Sequence, residues 1–151
     1  MALQAHHSSI LPKLGSETPA RPLADSWPRR RAKYEAWLGV EESFFLIAEE
    51  KRRAVGYAFV TVGSPFAGWV TGRIASLETL SVLPEFRGSG IGSELLAATW
   101  QRLAEYKITE MSITAALSNV DSNCFYERHG FEPSFVVFYG KRTAESAATD
   151  N

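Results

Sequence analysis

One stretch restricts this chain more than any other: a strand that runs into a proline turn and then into a glycine-rich helix start. Ile74 to Leu83 is β-rich and ends at Pro84, and Arg87-Gly-Ser-Gly-Ile-Gly92 follows three residues later. Beyond it Ile91, Leu95, Leu96, Leu103 and Tyr106 recur at helical spacing, so the glycines open an amphipathic helix. Three glycines within five residues let the backbone turn its N–H groups toward one point. The helix start adds unpaired N–H donors and a partial positive charge. Together they form a seat for a phosphate or pyrophosphate. Taken alone, the glycines are equally compatible with a tight strand-to-helix turn.

Two nucleotide motifs fail on spacing. A P-loop requires Gly-x4-Gly-Lys-Ser/Thr, and no Lys follows these glycines. A dinucleotide fingerprint requires Gly-x-Gly-x-x-Gly in an early strand–helix unit. Here the glycines are Gly88, Gly90 and Gly92, with Ser93 in place of the third, in the middle of the chain.

Around this motif the chain reads as one mixed domain. Residues 1–25 hold three of the seven prolines and little periodicity, so they are expected to be irregular. A helix is predicted from Ser26, with Pro28 in its first turn, Tyr34, Trp37 and Leu38 on its apolar stripe, and Gly39 as its stop. Its Arg29, Arg30, Arg31 and Lys33 read as a solvated face. Phe44–Ala48 and Val55–Val62 read as an antiparallel hairpin around Glu49–Arg53, and Gly63–Gly68 as a loop. Later come a strand over Ile108–Ala116, a short helix over Asp121–His129 with Gly130 as its left-handed cap, and a last strand over Phe135–Tyr139. Residues 141–151 are small and polar and are expected to form a mobile tail. The order predicts an α/β fold of the α+β type: a mixed, largely antiparallel central sheet flanked by helices.

The run Leu77-Glu-x-Leu-x-Val-x-Pro-x-x-Arg-Gly-x-Gly-Ile-Gly resembles the acetyl-CoA motif of the GNAT-type N-acetyltransferase superfamily. The family's Gln/Arg-x-x-Gly-x-Gly/Ala is met by Arg87, Gly90 and Gly92. Downstream, Asn119, Ser122, Tyr126 and Gly130-Phe131 are similar to its second signature, one helix and one strand later. The resemblance covers residues 26–140 and implies a GNAT-like acyltransferase fold with acetyl-CoA, or another acyl-CoA, as donor.

By that resemblance the pyrophosphate rests on Arg87, Gly88, Ser89, Gly90, Ile91, Gly92 and Ser93. The pantetheine arm pairs with the strand at Ser81, Val82 and Leu83, the N–H near Val82 polarises the thioester carbonyl, and Asn119 contacts the arm. Tyr126 is the implied general acid toward the departing thiolate. Glu78 is the implied general base or amine-binding carboxylate; strand alternation predicts that it faces the same side as Leu80 and Val82. The alternatives are a core Tyr126 beside Phe125, a solvated Arg87, and a structural Glu78 paired with a cation such as Arg73.

The remaining candidates are weaker. Cys124 is expected to be a buried small residue rather than an acyl carrier. His6, His7 and His129 lack metal-ligand spacing, so no metal site is predicted, and His129 suits a helix C-terminus. Trp27, Tyr34, Trp37, Phe66 and Trp69 are candidates to line an acceptor pocket, with core packing as the alternative for each. Sixteen basic and seventeen acidic residues give a net charge of −1, against the basic excess of a nucleic-acid binder. A single Cys excludes an internal disulfide and fits a reducing compartment. With no apolar run long enough to span a membrane, the expectation is a cytoplasmic protein without nucleic-acid or membrane partners.

The predicted activity is acetyl transfer to a primary amine of a small molecule or a protein. Its rival is a non-catalytic acyl-CoA sensor, which a retained Glu78 and Tyr126 disfavour. Leu3–His7 reads as the end of a first helix, which predicts that the family's first strand is missing or replaced. The exposed edge is then open, covered by Pro-rich chain, or paired in a homodimer, leaving monomer and homodimer both open.

Overall fold

The structure, a computed structural model, describes residues 23–64 and 72–136. In chain order these form α1 (Leu23–Leu38), β1 (Phe44–Glu50), β2 (Arg53–Gly63), β3 (Ile74–Val82), a 3-10 turn (Pro84–Phe86), α2 (Ile91–Glu105), β4 (Met111–Ile113) and α3 (Val120–Arg128). The strands make one open sheet in the order β1-β2-β3-β4. β1 with β2 and β2 with β3 are antiparallel, whereas β3 with β4 is parallel. This is the mixed, largely antiparallel sheet that the sequence predicts. The expectations for the first strand, for Phe66 and Trp69, and for the tail fall outside the described residues, as do His6 and His7.

The hairpin is tighter than expected. Its turn is Lys51-Arg52, both left-handed at φ 49° and 65°. Such torsions match the twist of paired strands and cost about 1–2 kcal/mol per non-glycine residue, which the ladder offsets. Helix α1 begins at Leu23, earlier than expected, so Pro28 lies inside it rather than in its first turn.

The sheet is covered on both faces. On one, Tyr34 of α1 packs edge-on against Phe45 and Phe59, with ring centroids 5.6 and 5.1 Å apart, and its hydroxyl shares a 2.9 Å hydrogen bond with Thr79. On the other, Ala58, Val60, Val62, Ala75 and Leu77 meet Leu95, Leu96 and Leu103 of α2 and Ile108. Positions 95, 96, 99 and 103 are buried, which is the helical stripe read from the sequence.

One strand expectation is corrected. Ile108–Ala116 forms a strand only over Met111–Ile113, because β4 pairs with β3 only along Ala75–Leu77. Of the strand expected over Phe135–Tyr139, residues 137–139 lie outside the described residues. No helix among the described residues is long and apolar enough to cross a membrane.

Candidate functional site at the open edge of β3

β3 keeps a neighbour on each side only as far as Leu77. From Thr79 to Val82 it remains paired with β2, and among the described residues no strand follows its other edge. Leu83 N–H donates to Val55 O of β2 at 2.8 Å. By strand alternation Val82 then turns its N–H and C=O to the open edge. Arg87 Nε donates to the Val82 carbonyl at 3.2 Å, which agrees with that orientation. An extended ligand arm can therefore add to β3 as a short strand.

The glycine loop stands at the end of this edge. Gly88 and Gly90 are left-handed, at φ 78° and 95°, and Gly90 caps α2 with no side-chain capping bond. Glu94 N–H to Gly90 O at 3.0 Å closes the first helical turn, so the N–H groups before it point outward from the helix start. Ser89 Oγ donates to Phe86 O at 2.6 Å and pins the loop. Arg53 ion-pairs with Glu85 at 2.8 Å and lies over the Phe86 ring, fixing the 3-10 turn to the hairpin. An anion seat next to a strand edge that no described strand follows fits a phosphate-bearing pantetheine donor such as acetyl-CoA.

α3 supplies the facing wall. Gly130, at φ 83°, ends it in a Schellman arrangement: Phe131 N–H donates to Tyr126 O at 3.1 Å and Gly130 N–H to Glu127 O at 3.0 Å. Phe125 lies where a Cβ on Gly92 would meet its ring at 3.5 Å, so α3 sits directly against the start of α2. Tyr126 packs against the core, edge-on to Phe125 and Phe131. Burial pushes its phenol up to about 12, because the ionised form would lose its water.

Glu78 departs from the predicted orientation. In the β2–β3 register Phe59 faces Thr79 and Val60 faces Leu77, so Glu78 is the extra residue of a β-bulge. The bulge shifts the alternation by one. Leu80 and Val82 pack toward α2, whereas exposed Glu78 accepts a 3.0 Å hydrogen bond from Thr61 Oγ1 on the α1 face. The cation proposed for it is used elsewhere, since Arg73 ion-pairs with Glu42.

Comparison with known proteins decides the family. The profile of the acetyltransferase (GNAT) family matches residues 11–131. The chain belongs to the GNAT acetyltransferase family. An aminoglycoside N(6')-acetyltransferase type 1 of Acinetobacter baumannii is 35% identical over 75 residues, 50% of this chain and 51% of that protein. The chain thus spans about half the length of the curated relative that it matches. The solved structure of an aminoglycoside N-acetyltransferase in complex with CoA superposes with a TM-score of 0.63 at 27% identity, covering 77% of this chain and 88% of that one. An aminoglycoside 6'-N-acetyltransferase from Acinetobacter haemolyticus shares the fold, with a TM-score of 0.66 at 24% identity over 78% and 83% of the two chains.

Within this GNAT chain the two motifs meet through a residue that the sequence did not single out for the site. His129 Nδ1 lies 2.7 Å from Phe125 O and its Nε2 lies 3.0 Å from Ser93 Oγ, across 36 positions of sequence. Asn119 Nδ2 donates to Ser122 Oγ at 2.7 Å at the start of α3, and Asn123 holds the preceding turn through Ala116 O and Leu117 O. Ser81 is buried and Val82 half-buried. Gly56 was also missed: a Cβ there would lie 3.0 Å from Ser81 O. Its position inside a strand was the available signal.

The other candidates separate clearly. Cys124 is exposed, not buried as expected. No group of three metal-ligating side chains occurs among the described residues. Tyr34 and Trp37 pack with Phe59, whereas exposed Trp27 lines an apolar groove of about 250 Å³ with Tyr34, Phe45, Ile47 and Tyr57.

Proposed function

We propose that this chain is an acetyl-CoA-dependent N-acetyltransferase that acetylates a primary amine of a small molecule. The observation that carries this reading is the β3 edge past Leu77, which no strand follows among the described residues, leading into the left-handed glycine start of α2. The CoA complex of the solved relative supports acetyl-CoA as donor, and the aminoglycoside acetyltransferases support a small-molecule amine as acceptor.

Acetyl-CoA supplies an activated acetyl thioester. The N–H groups of the Gly88–Ser93 stretch hold its phosphates, and Arg87 adds charge beside them. To do so Arg87 releases Val82 O, which leaves that carbonyl free for the pantetheine amides. Val82 N–H donates toward the thioester oxygen and stabilises negative charge there. Asn119 is the proposed contact for the arm near the start of α3.

Glu78 reaches the amine from the α1 face, held by Thr61, and takes a proton directly or through water. The new C–N bond forms as the C–S bond breaks. Tyr126 keeps its proton at neutral pH and donates a hydrogen bond to the leaving sulfur. A phenol near 12 is too weak an acid to give its proton fully to a thiolate whose conjugate acid is near ~8.5. Its contribution is therefore charge stabilisation by a preorganised donor.

Calorimetry against acetyl-CoA, ATP and NAD, followed by thiol release across a panel of primary amines, tests the reading. Acetyl-CoA binding with amine-dependent release supports it. Binding of NAD but not acetyl-CoA refutes it, and binding without release for every amine leaves a sensor.

A further inference from the structure

We propose that His129 is a positioning residue that couples occupation of the anion seat to uptake of a proton, through the hydroxyl of Ser93. The proposal rests on the reading that the donor's pyrophosphate sits at the start of α2.

The hydrogen bonds determine the tautomer. The Phe125 carbonyl only accepts, so at 2.7 Å His129 Nδ1 carries the proton. In the neutral ring Nε2 is then an acceptor, and Ser93 Oγ–H donates to it over 3.0 Å. Ser93 is the third residue of α2, in the same first turn whose N–H groups form the seat. Its hydroxyl proton is thereby spent on the histidine, which leaves the oxygen only lone pairs to offer an anion, the wrong polarity for a phosphate.

Protonation reverses the chain. With a solvent proton on Nε2, the ring donates to Ser93 Oγ, and the Ser93 hydroxyl turns its own hydrogen toward a phosphate oxygen. One proton enters from solvent and forms the Nε2–H bond; the Ser93 O–H bond is kept and only rotates. An anion in the seat favours that state by accepting the hydroxyl and by its charge near the imidazolium. The Phe125 ring, with its centroid 4.3 Å from that of His129, and the Phe125 carbonyl keep the imidazole in place in both states. The charged and titratable groups carried by the same segments are Glu94 beside Ser93 on α2, Asp121, Cys124, Tyr126, Glu127 and Arg128 on α3, and Glu132 beyond Gly130. Among the described residues, the hydrogen-bond partners of the ring nitrogens are Ser93 Oγ and Phe125 O.

Calorimetry of CoA binding in two buffers of different ionisation enthalpy measures the proton directly. The wild type should take up a fraction of a proton on binding CoA. H129N, whose amide can still donate to Phe125 O, and S93A should each lose that fraction. In kinetics, H129N should raise the KM for acetyl-CoA by about fivefold near pH 6 and much less near about pH 9, with kcat at saturation changing far less than KM. Acetyl-pantetheine, which lacks the phosphates, should show neither effect. Equal proton uptake in wild type and H129N overturns the proposal, as does a KM increase that is the same at every pH or that persists with acetyl-pantetheine. A wild-type chain that binds no CoA refutes the underlying reading itself.

Discussion

Tyr126 and Glu78 divide the chemistry of the proposed site, and their surroundings give each a distinct signature. Partly buried Tyr126 is a hydrogen-bond donor at every pH at which the enzyme would work. Y126F should lower kcat by about tenfold to a hundredfold while leaving the KM for acetyl-CoA within about threefold, read from initial rates. Glu78 is exposed on the α1 face. E78Q should depress the rate at neutral pH and recover toward high pH, where the acceptor amine sheds its own proton. A loss equal at all pH values would make Glu78 an amine-binding group. Both residues were legible as candidates because their motif positions are local. The direction of Glu78 was not, because the extra residue of a bulge is visible only in the β2–β3 register. The His129–Ser93 contact was equally hidden, since it joins two segments whose sequences carry no mark of each other.

At the scale of elements, the site exists because β3 outruns β4. The glycine loop and the Schellman end of α3 could be read in the sequence, since torsional demands at Gly88, Gly90 and Gly130 are intrinsic to those residues. The brevity of β4 could not, because its alternating residues continue past the point where the partner strand diverges. Gly56 holds β2 close to the functional part of β3: an added Cβ would meet Ser81 O at 3.0 Å and Val82 Cγ2 and Leu95 Cδ1 at 3.3 Å. The first of these is backbone, so the ladder itself must move. G56A should therefore destabilise the fold by about 1–3 kcal/mol in denaturant unfolding and raise the KM for acetyl-CoA by shifting Val82. At Gly90 an added Cβ meets nothing within 4 Å, but the φ of 95° strains any L side chain. G90A should cost about 1–2 kcal/mol and weaken CoA binding by turning the seat's N–H groups.

At the scale of the whole molecule, each face of the sheet holds a partly buried phenol. Tyr126 is pushed up to about 12 by burial. Tyr57 is also raised, first by burial and then by the neighbouring Tyr34. In the unfolded chain both lose their protons near ~10. Above that value the folded state holds protons the unfolded state has released, so stability falls as pH climbs from about 10 toward about 12. Below about 10 both states are protonated and these groups contribute no slope. Y126F should remove about 2 kcal/mol of that alkaline loss in urea titrations at graded pH. In the proposed reaction the donor would lie along the open β3 edge and the carboxylate on the α1 face. The most direct test is the stoichiometry of CoA thiol released to amide formed, measured with and without a primary amine. The account predicts amine-dependent release at one thiol per amide, reduced in Y126F. Tight acetyl-CoA binding with no amine-dependent release across the panel would contradict it.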